Sequence, residues 1–110
     1  MNLSSLLELL KTQSTVITEI DGDSMTGDGL YEGDIILAKK KRKFKQGEIV
    51  ICAVQGYDIP FIKRIYFLKN SRVVLKSSNP AYEDYYTEVA KITILASVRF
   101  RINLTTLTHE

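Results

Sequence analysis

Apolar and polar positions change over in short runs along most of the chain, with a period nearer two than 3.6. Thr15 to Ile20 (TVITEI) is rich in β-branched residues and reads as a strand, and Asp34 to Ala38 (DIILA) reads as a second. Glu48 to Val54 (EIVICAV) is apolar at both parities, the pattern of a central strand buried on both faces. Gln46-Gly47 is a turn before it, and Gln55-Gly56-Tyr57-Asp58 is a hairpin turn after it, leading into a strand from Ile59 to Leu68. Ser71 to Lys76 (SRVVLK) follows, then a polar loop from Ser77 to Asp84, then a last strand from Ile92 to Ile102. Only the beginning departs from this pattern. Ser5-Leu6-Leu7-Glu8 has the S-x-x-E spacing of a capping box, in which hydroxyl and carboxylate satisfy exposed N–H groups, and predicts a helix reaching Lys11. Many short strands with turn signals at intervals of roughly ten residues predict a mainly β fold of coiled, barrel-like sheets with one short N-terminal helix.

Composition narrows the chemistry. The 110 residues suit a single domain over 1–110 with a genuine core, and 45% hydrophobic with 25% charged residues argues against disorder. A net charge of +2 says little about partners. Cys52 is the single cysteine and His109 the single histidine, so zinc fingers, iron–sulfur clusters and disulfide frameworks are excluded, and neither a metal nor a cofactor is expected. His109 stands one residue from the end, a poor position for a Ser-His-Asp triad. Met1 to Leu10 lacks the basic flank of a secretion signal, and no apolar run approaches the roughly 20 residues that span a bilayer. The expected setting is the cytoplasm.

Two positions stand out against this background. On the strand Ile59 to Phe67, alternation places Ile59, Phe61, Lys63, Ile65 and Phe67 on one side, so Lys63 is the lone charge on an apolar face. One reading is a lysine near a sheet margin that snorkels its ammonium to water. The other is a lysine held where desolvation disfavours its charge, which leaves a neutral amine as a general base. A base needs a nucleophile, and Ser24 lies in the glycine-studded loop Glu19 to Ile36 (EIDGDSMTGDGLYEGDII). Glycines at 22, 27 and 29 let backbone approach a substrate and donate N–H groups to an oxyanion. A Ser-Lys dyad is a known variant of serine-protease chemistry that needs no histidine, and it requires the two groups within roughly 2.6–3.2 Å.

Gly22-Asp23-Ser24-Met25, Gly33-Asp34, Gly47-Glu48-Ile49-Val50 and Phe61-Ile62-Lys63-Arg64 together resemble the successive motifs of the LexA/UmuD family of self-cleaving serine peptidases, peptidase family S24. Asn79-Pro80-Ala81-Tyr82 resembles the family's loop between later strands, and Ile94 to Arg101 its closing strand. The resemblance implies Ser24 as nucleophile, Lys63 as general base, and the backbone N–H groups of Ser24 and Asp23 as oxyanion donors. It also implies a homodimer, with the last strand and the N-terminal helix as candidate contacts, and self-cleavage stimulated by the RecA filament on single-stranded DNA. Family members cut an Ala-Gly or Cys-Gly bond upstream of the serine, and neither dipeptide occurs in this sequence. Only 23 residues precede Ser24, so the chain resembles the processed form of UmuD, the accessory subunit that joins a Y-family (UmuC-like) subunit in a translesion DNA polymerase. The alternative is the peptidase and dimerisation domain of a LexA-like or phage repressor without its DNA-binding half.

Other features draw blander expectations. Asp21, Asp23 and Glu32 have part of an EF-hand spacing, but Met25 and Thr26 stand where an oxygen ligand and the obligatory glycine belong. Lys39 to Lys45 (KKKRKFK) is read as a solvated connector guarding a sheet edge, so direct nucleic-acid binding is expected to be weak or absent. Cys52 reads as inert core. Tyr82, Tyr85 and Tyr86 form an aromatic group that suits either a partner surface or ordinary packing.

Overall fold

The computed structural model describes Ser4 and residues 14–103. The helix expected from Leu3 to Lys11, Ser4 apart, and His109 lie outside the described residues. The rest is mainly β, as the alternation predicts. Seven strands follow in chain order: β1 (Thr15–Glu19), β2 (Ile35–Lys39), β3 (Glu48–Val54), β4 (Phe61–Phe67), β5 (Arg72–Lys76), β6 (Tyr85–Glu88) and β7 (Ile92–Ile102). Single 3₁₀ turns at Thr26–Asp28 and Val89–Lys91 are the helical elements among the described residues from 14 onward.

All the pairings are antiparallel, in one sheet of order β1-β2-β7-β3-β4-β5-β6. The sheet is open, with edges at β1 and β6, and does not close into a barrel. Register shifts between Leu37 and Ala38 and between Ile51 and Cys52, both against β7, mark bulges that bend that long strand and add to its twist. β7 separates β2 from β3. The two strands joined by the Lys39–Lys45 segment are therefore both interior, and the segment guards no sheet edge, contrary to expectation.

Two further differences have local causes. β4 begins at Phe61 instead of Ile59, because Pro60 has no N–H for the ladder, and Ile59 is left 68% exposed. Strand β6 (YYTE) was not expected. Its tyrosines and threonine suit a strand, but four residues beside a polar loop carry too little alternation to be read.

The core lies on both sides of β3, as its double-faced pattern requires. Val50, Cys52 and Val54 pack with Ile65, Val73 and Leu75 on one side, and Phe61 and Phe67 join them. On the other side Ile51 packs with Ala38 and Ala96, and Ile49 leans on Ile20, Met25, Leu30 and Ile36. Cys52 is a fully buried free thiol whose pKa burial pushes up to about 11, so it stays protonated in the core.

Candidate active site

The loop between β1 and β2 is closed at its base by Ile20 N–H donating to Asp34 O (2.8 Å) and Gly33 N–H donating to Ile20 O (2.9 Å). Met25 explains the apolar residue inside it. Its side chain is 2% exposed and packs with Ile20, Leu30 and Ile36, burial that stabilises by about 2 kcal/mol and pins the loop beneath Ser24. The carbonyl of Met25 accepts from Asp28 N–H (3.1 Å) and Leu30 N–H (3.2 Å), which coils 26–28 into a 3₁₀ turn. That turn ends at Gly29 in the left-handed region (φ 77), where a side chain would be strained.

A second loop, residues 77–82, clamps the first. Asn79 N–H donates to Ser24 O (3.0 Å) and Asn79 Nδ2 donates to Asp23 O (3.0 Å). Asp28 N–H donates to Ser78 Oγ (3.0 Å), and the Tyr82 hydroxyl donates to Asp23 Oδ1 (2.5 Å). The two backbones approach so closely that a Cβ on Gly27 would stand 2.3 Å from Ser78 O. The clamp also orients peptide planes. In a trans peptide the C=O and the next N–H point to opposite sides, so holding Asp23 O against Asn79 turns Ser24 N–H away from the 77–82 loop.

Lys63 and Ser24, 39 residues apart, are brought together: Lys63 Nζ donates to Ser24 Oγ at 2.7 Å. Lys63 pairs with Val50 in the β3–β4 ladder, which places its stem beside the buried sheet. Burial pulls its pKa below the ordinary lysine value of 10.5, and its ammonium lies 5.4 Å from the Tyr82 ring centroid. Arg64, the next residue, serves the same loop from the other face of β4. Its Nε and Nη2 grip the Asp28 carboxylate (3.0 and 2.7 Å), and its Nη1 donates to Gly47 O (2.5 Å). The guanidinium holds the Asp28 carboxyl below its ordinary value. Lysine and arginine together fix the loop to β4, one at Ser24 and one at Asp28.

Ser24 and Lys63 open on a groove of about 670 Å³. Thr18 to Ile20, Tyr57 to Ile62 and Tyr82 are among the residues that line it. The three tyrosines expected as one group are divided. Tyr85 joins Tyr57 and Phe61 in an edge-to-face triangle with centroids 5.0–5.9 Å apart, Tyr82 covers Lys63, and Tyr86 is 56% exposed. The spacing that resembled an EF-hand is used otherwise: Glu32 Oε1 accepts from Gly22 N–H (3.2 Å) and Asp23 accepts from Tyr82. No cluster of His, Cys, Asp and Glu able to hold a metal ion occurs among the described residues. Reading the sequence missed the anchoring by Asp28, Asn79 and Tyr82, since nothing in their local pattern announces a contact some 36–59 residues away.

A family model described as Peptidase S24-like matches residues 2–99. The chain is similar to the LexA repressor of Anaeromyxobacter dehalogenans, 39% identical over 67 residues, covering 61% of this chain and 28% of that protein. It is also similar to the LexA repressors of Alcanivorax borkumensis (32% over 75 residues, 68% and 35%) and Caldicellulosiruptor saccharolyticus (28% over 85 residues, 77% and 41%). The chain therefore spans less than half the length of these relatives.

Proposed function

Because the chain belongs to the S24-like peptidase family, whose members are self-cleaving serine peptidases, we propose that it is a peptidase domain acting through a Ser24–Lys63 dyad. The observation that carries this reading is the 2.7 Å contact between a desolvated amine and a hydroxyl on a rigid, glycine-containing loop. Neutral Lys63 takes the Ser24 proton as Oγ attacks the scissile carbonyl carbon. The tetrahedral oxyanion is received by the N–H groups of Ser24 and Asp23, the first of which the Asn79 clamp turns away from its own loop. Lys63, now an ammonium, gives the proton to the departing amine. Water then attacks the acyl-serine with Lys63 again as base, releasing the second product and restoring the hydroxyl.

No Ala-Gly or Cys-Gly bond lies within these 110 residues, so cleavage is assayed on a second polypeptide. The test is cleavage in trans of a partner bearing an Ala-Gly or Cys-Gly arm. The parent cuts, and Ser24→Ala and Lys63→Ala each abolish cutting while keeping the β fold. Equal cutting by Lys63→Ala would sink the mechanism.

The biological role we infer is in the SOS response to DNA damage. Similarity to LexA repressors supports a repressor-type peptidase and dimerisation domain. Response to the RecA filament and work as a cytoplasmic homodimer belong to the same proposal. A second reading, from the Gly22-Asp23-Ser24-Met25 and Phe61-Ile62-Lys63-Arg64 motifs that the UmuD branch of the family shares, is the UmuD-like accessory subunit of an error-prone polymerase. Co-purification with a Y-family polymerase subunit supports the second reading, and its absence alongside repressor cleavage supports the first. Sedimentation showing only monomer at micromolar concentration counts against the dimer in both.

A further inference from the structure

We propose that the Lys39–Lys45 segment is a sequence-independent binding site for the phosphodiester backbone of a nucleic acid. Six of the fifteen Lys and Arg residues fall in these seven positions, while the nine elsewhere are outnumbered by thirteen acids. The molecule therefore carries a concentrated positive end on an otherwise net-negative chain, and attraction for a polyanion is local to this segment.

The strand order removes the ordinary explanation for such lysines. β2 and β3 both lie inside the sheet, so there is no exposed edge here for charge to protect. The segment is also held down, as a platform would be. Phe44 is partly buried and packs against the core cluster that includes Val50 and Ile65. Lys41 pairs with Glu48 (2.6 Å) and lies over the Phe44 ring (5.4 Å), and Ser97 donates to the same carboxylate. Lys45 N–H donates to Glu48 Oε1 (2.8 Å), and Lys40 N–H donates to Ser14 O (2.8 Å).

With Lys41 spent on Glu48, the remaining five cations, Lys39, Lys40, Arg42, Lys43 and Lys45, are all exposed and none is in an ion pair among the described residues. Holding five like charges within at most about 24 Å of chain is self-repelling, and closely spaced phosphates relieve it. An anionic membrane is the weaker fit, because the segment's one apolar residue, Phe44, packs against the core and leaves little to insert. The site lies at the opposite end of the β1–β2 pair from Ser24. Thr15 pairs with Lys39, whereas Glu19, next to the serine loop, pairs with Ile35. Bound nucleic acid would leave the groove open.

The test is fluorescence anisotropy of a labelled 20-nucleotide single strand and a 20-base-pair duplex, each titrated with the intact protein at 50–200 mM NaCl. For three to five neutralised phosphates the single-strand affinity should fall roughly 20- to 100-fold across that range, with no preference among sequences. The fivefold Gln variant at 39, 40, 42, 43 and 45 should lose binding, and Arg42→Gln/Lys43→Gln, a milder change that keeps the fold in any event, should lower the log–log salt slope by about 1.4. Lys69→Gln/Arg72→Gln, which removes two exposed cations elsewhere, should bind as the parent does. Absence of binding by 100 μM parent at the lowest salt overturns the proposal. So does equal binding by the Arg42/Lys43 variant, or binding to phosphatidylserine vesicles without binding to either oligonucleotide.

Discussion

Replacing Asn79 by Ala separates the orientation of the serine loop from its chemistry. The substitution deletes the Nδ2 donor to Asp23 O (3.0 Å) and the Oδ1 acceptor that takes Ala81 N–H (3.0 Å), and it leaves Lys63, Ser24 and the groove lining untouched. Each bond is solvent-exposed, so together they should be worth about 1 kcal/mol of stability, a fall of roughly 4–8 °C in Tm. The effect on catalysis should be larger. Asp23 O keeps only Thr26 Oγ1 (3.1 Å) and the long contact to Thr26 N–H (3.4 Å), so the peptide that carries Ser24 N–H is freer to rotate. Complete loss of one oxyanion donor costs about 100- to 1000-fold in kcat, and partial loss of its orientation should cost on the order of 10- to 100-fold. The assay is cleavage in trans at 25 °C, where the variant remains folded, with kcat and KM measured across pH. We expect kcat to fall with KM nearly constant, and the pH midpoint to stay in place because Asn79 carries no charge and its hydrogen bonds go to Asp23, Ser24, Ala81 and Tyr82, not to Lys63. A kcat within twofold of the parent refutes the orientation argument. A midpoint that moves shows that Asn79 acts through the lysine instead.

Cleavage should rise with pH through a midpoint below 10.5, since burial lowers the Lys63 pKa and the neutral amine is the base; a profile flat from pH 6 to 10 contradicts this. The same shift has a stability consequence. The unfolded chain binds the Lys63 proton more readily than the folded one, so this group costs stability below its folded pKa, and the cost disappears as pH rises to 10.5. Lys63→Met should therefore melt higher than the parent at pH 7 while cutting nothing, and calorimetry checks it. Asp28→Asn should lower stability by about 1 kcal/mol, a charge-assisted pair discounted for its exposure to solvent. Its folded carboxyl pKa lies below 3.8, so the parent's advantage is present above 3.8 and is lost as acid protonates the folded carboxylate; denaturant titrations from pH 7 downward should show the gap begin to narrow only below 3.8. Gly27→Ala must push the two site loops apart by more than half an ångström, at a cost of about 1–3 kcal/mol, and an unchanged Tm would mean that they separate freely.

Alternation along the chain was enough to locate most strands, because side-chain parity is a local property. β3, apolar at both parities, was legible as central, and it is buried on both faces between β7 and β4. Lys63 was legible for the same reason: a charge on an apolar face violates a local pattern, and a serine among glycines is visible without any partner. What no local pattern could reveal was which distant segments meet. The insertion of β7 between β2 and β3 pairs residues 38 to 67 apart in the chain, and it turned an expected edge guard into an exposed connector between two interior strands. Asp28, Asn79 and Tyr82 look like ordinary polar loop residues until folding sets them against Arg64, Asp23 and Lys63. Periodicity is read from neighbours in sequence. Register and strand order are set by burying both faces of one sheet at once, and that is a property of the whole chain.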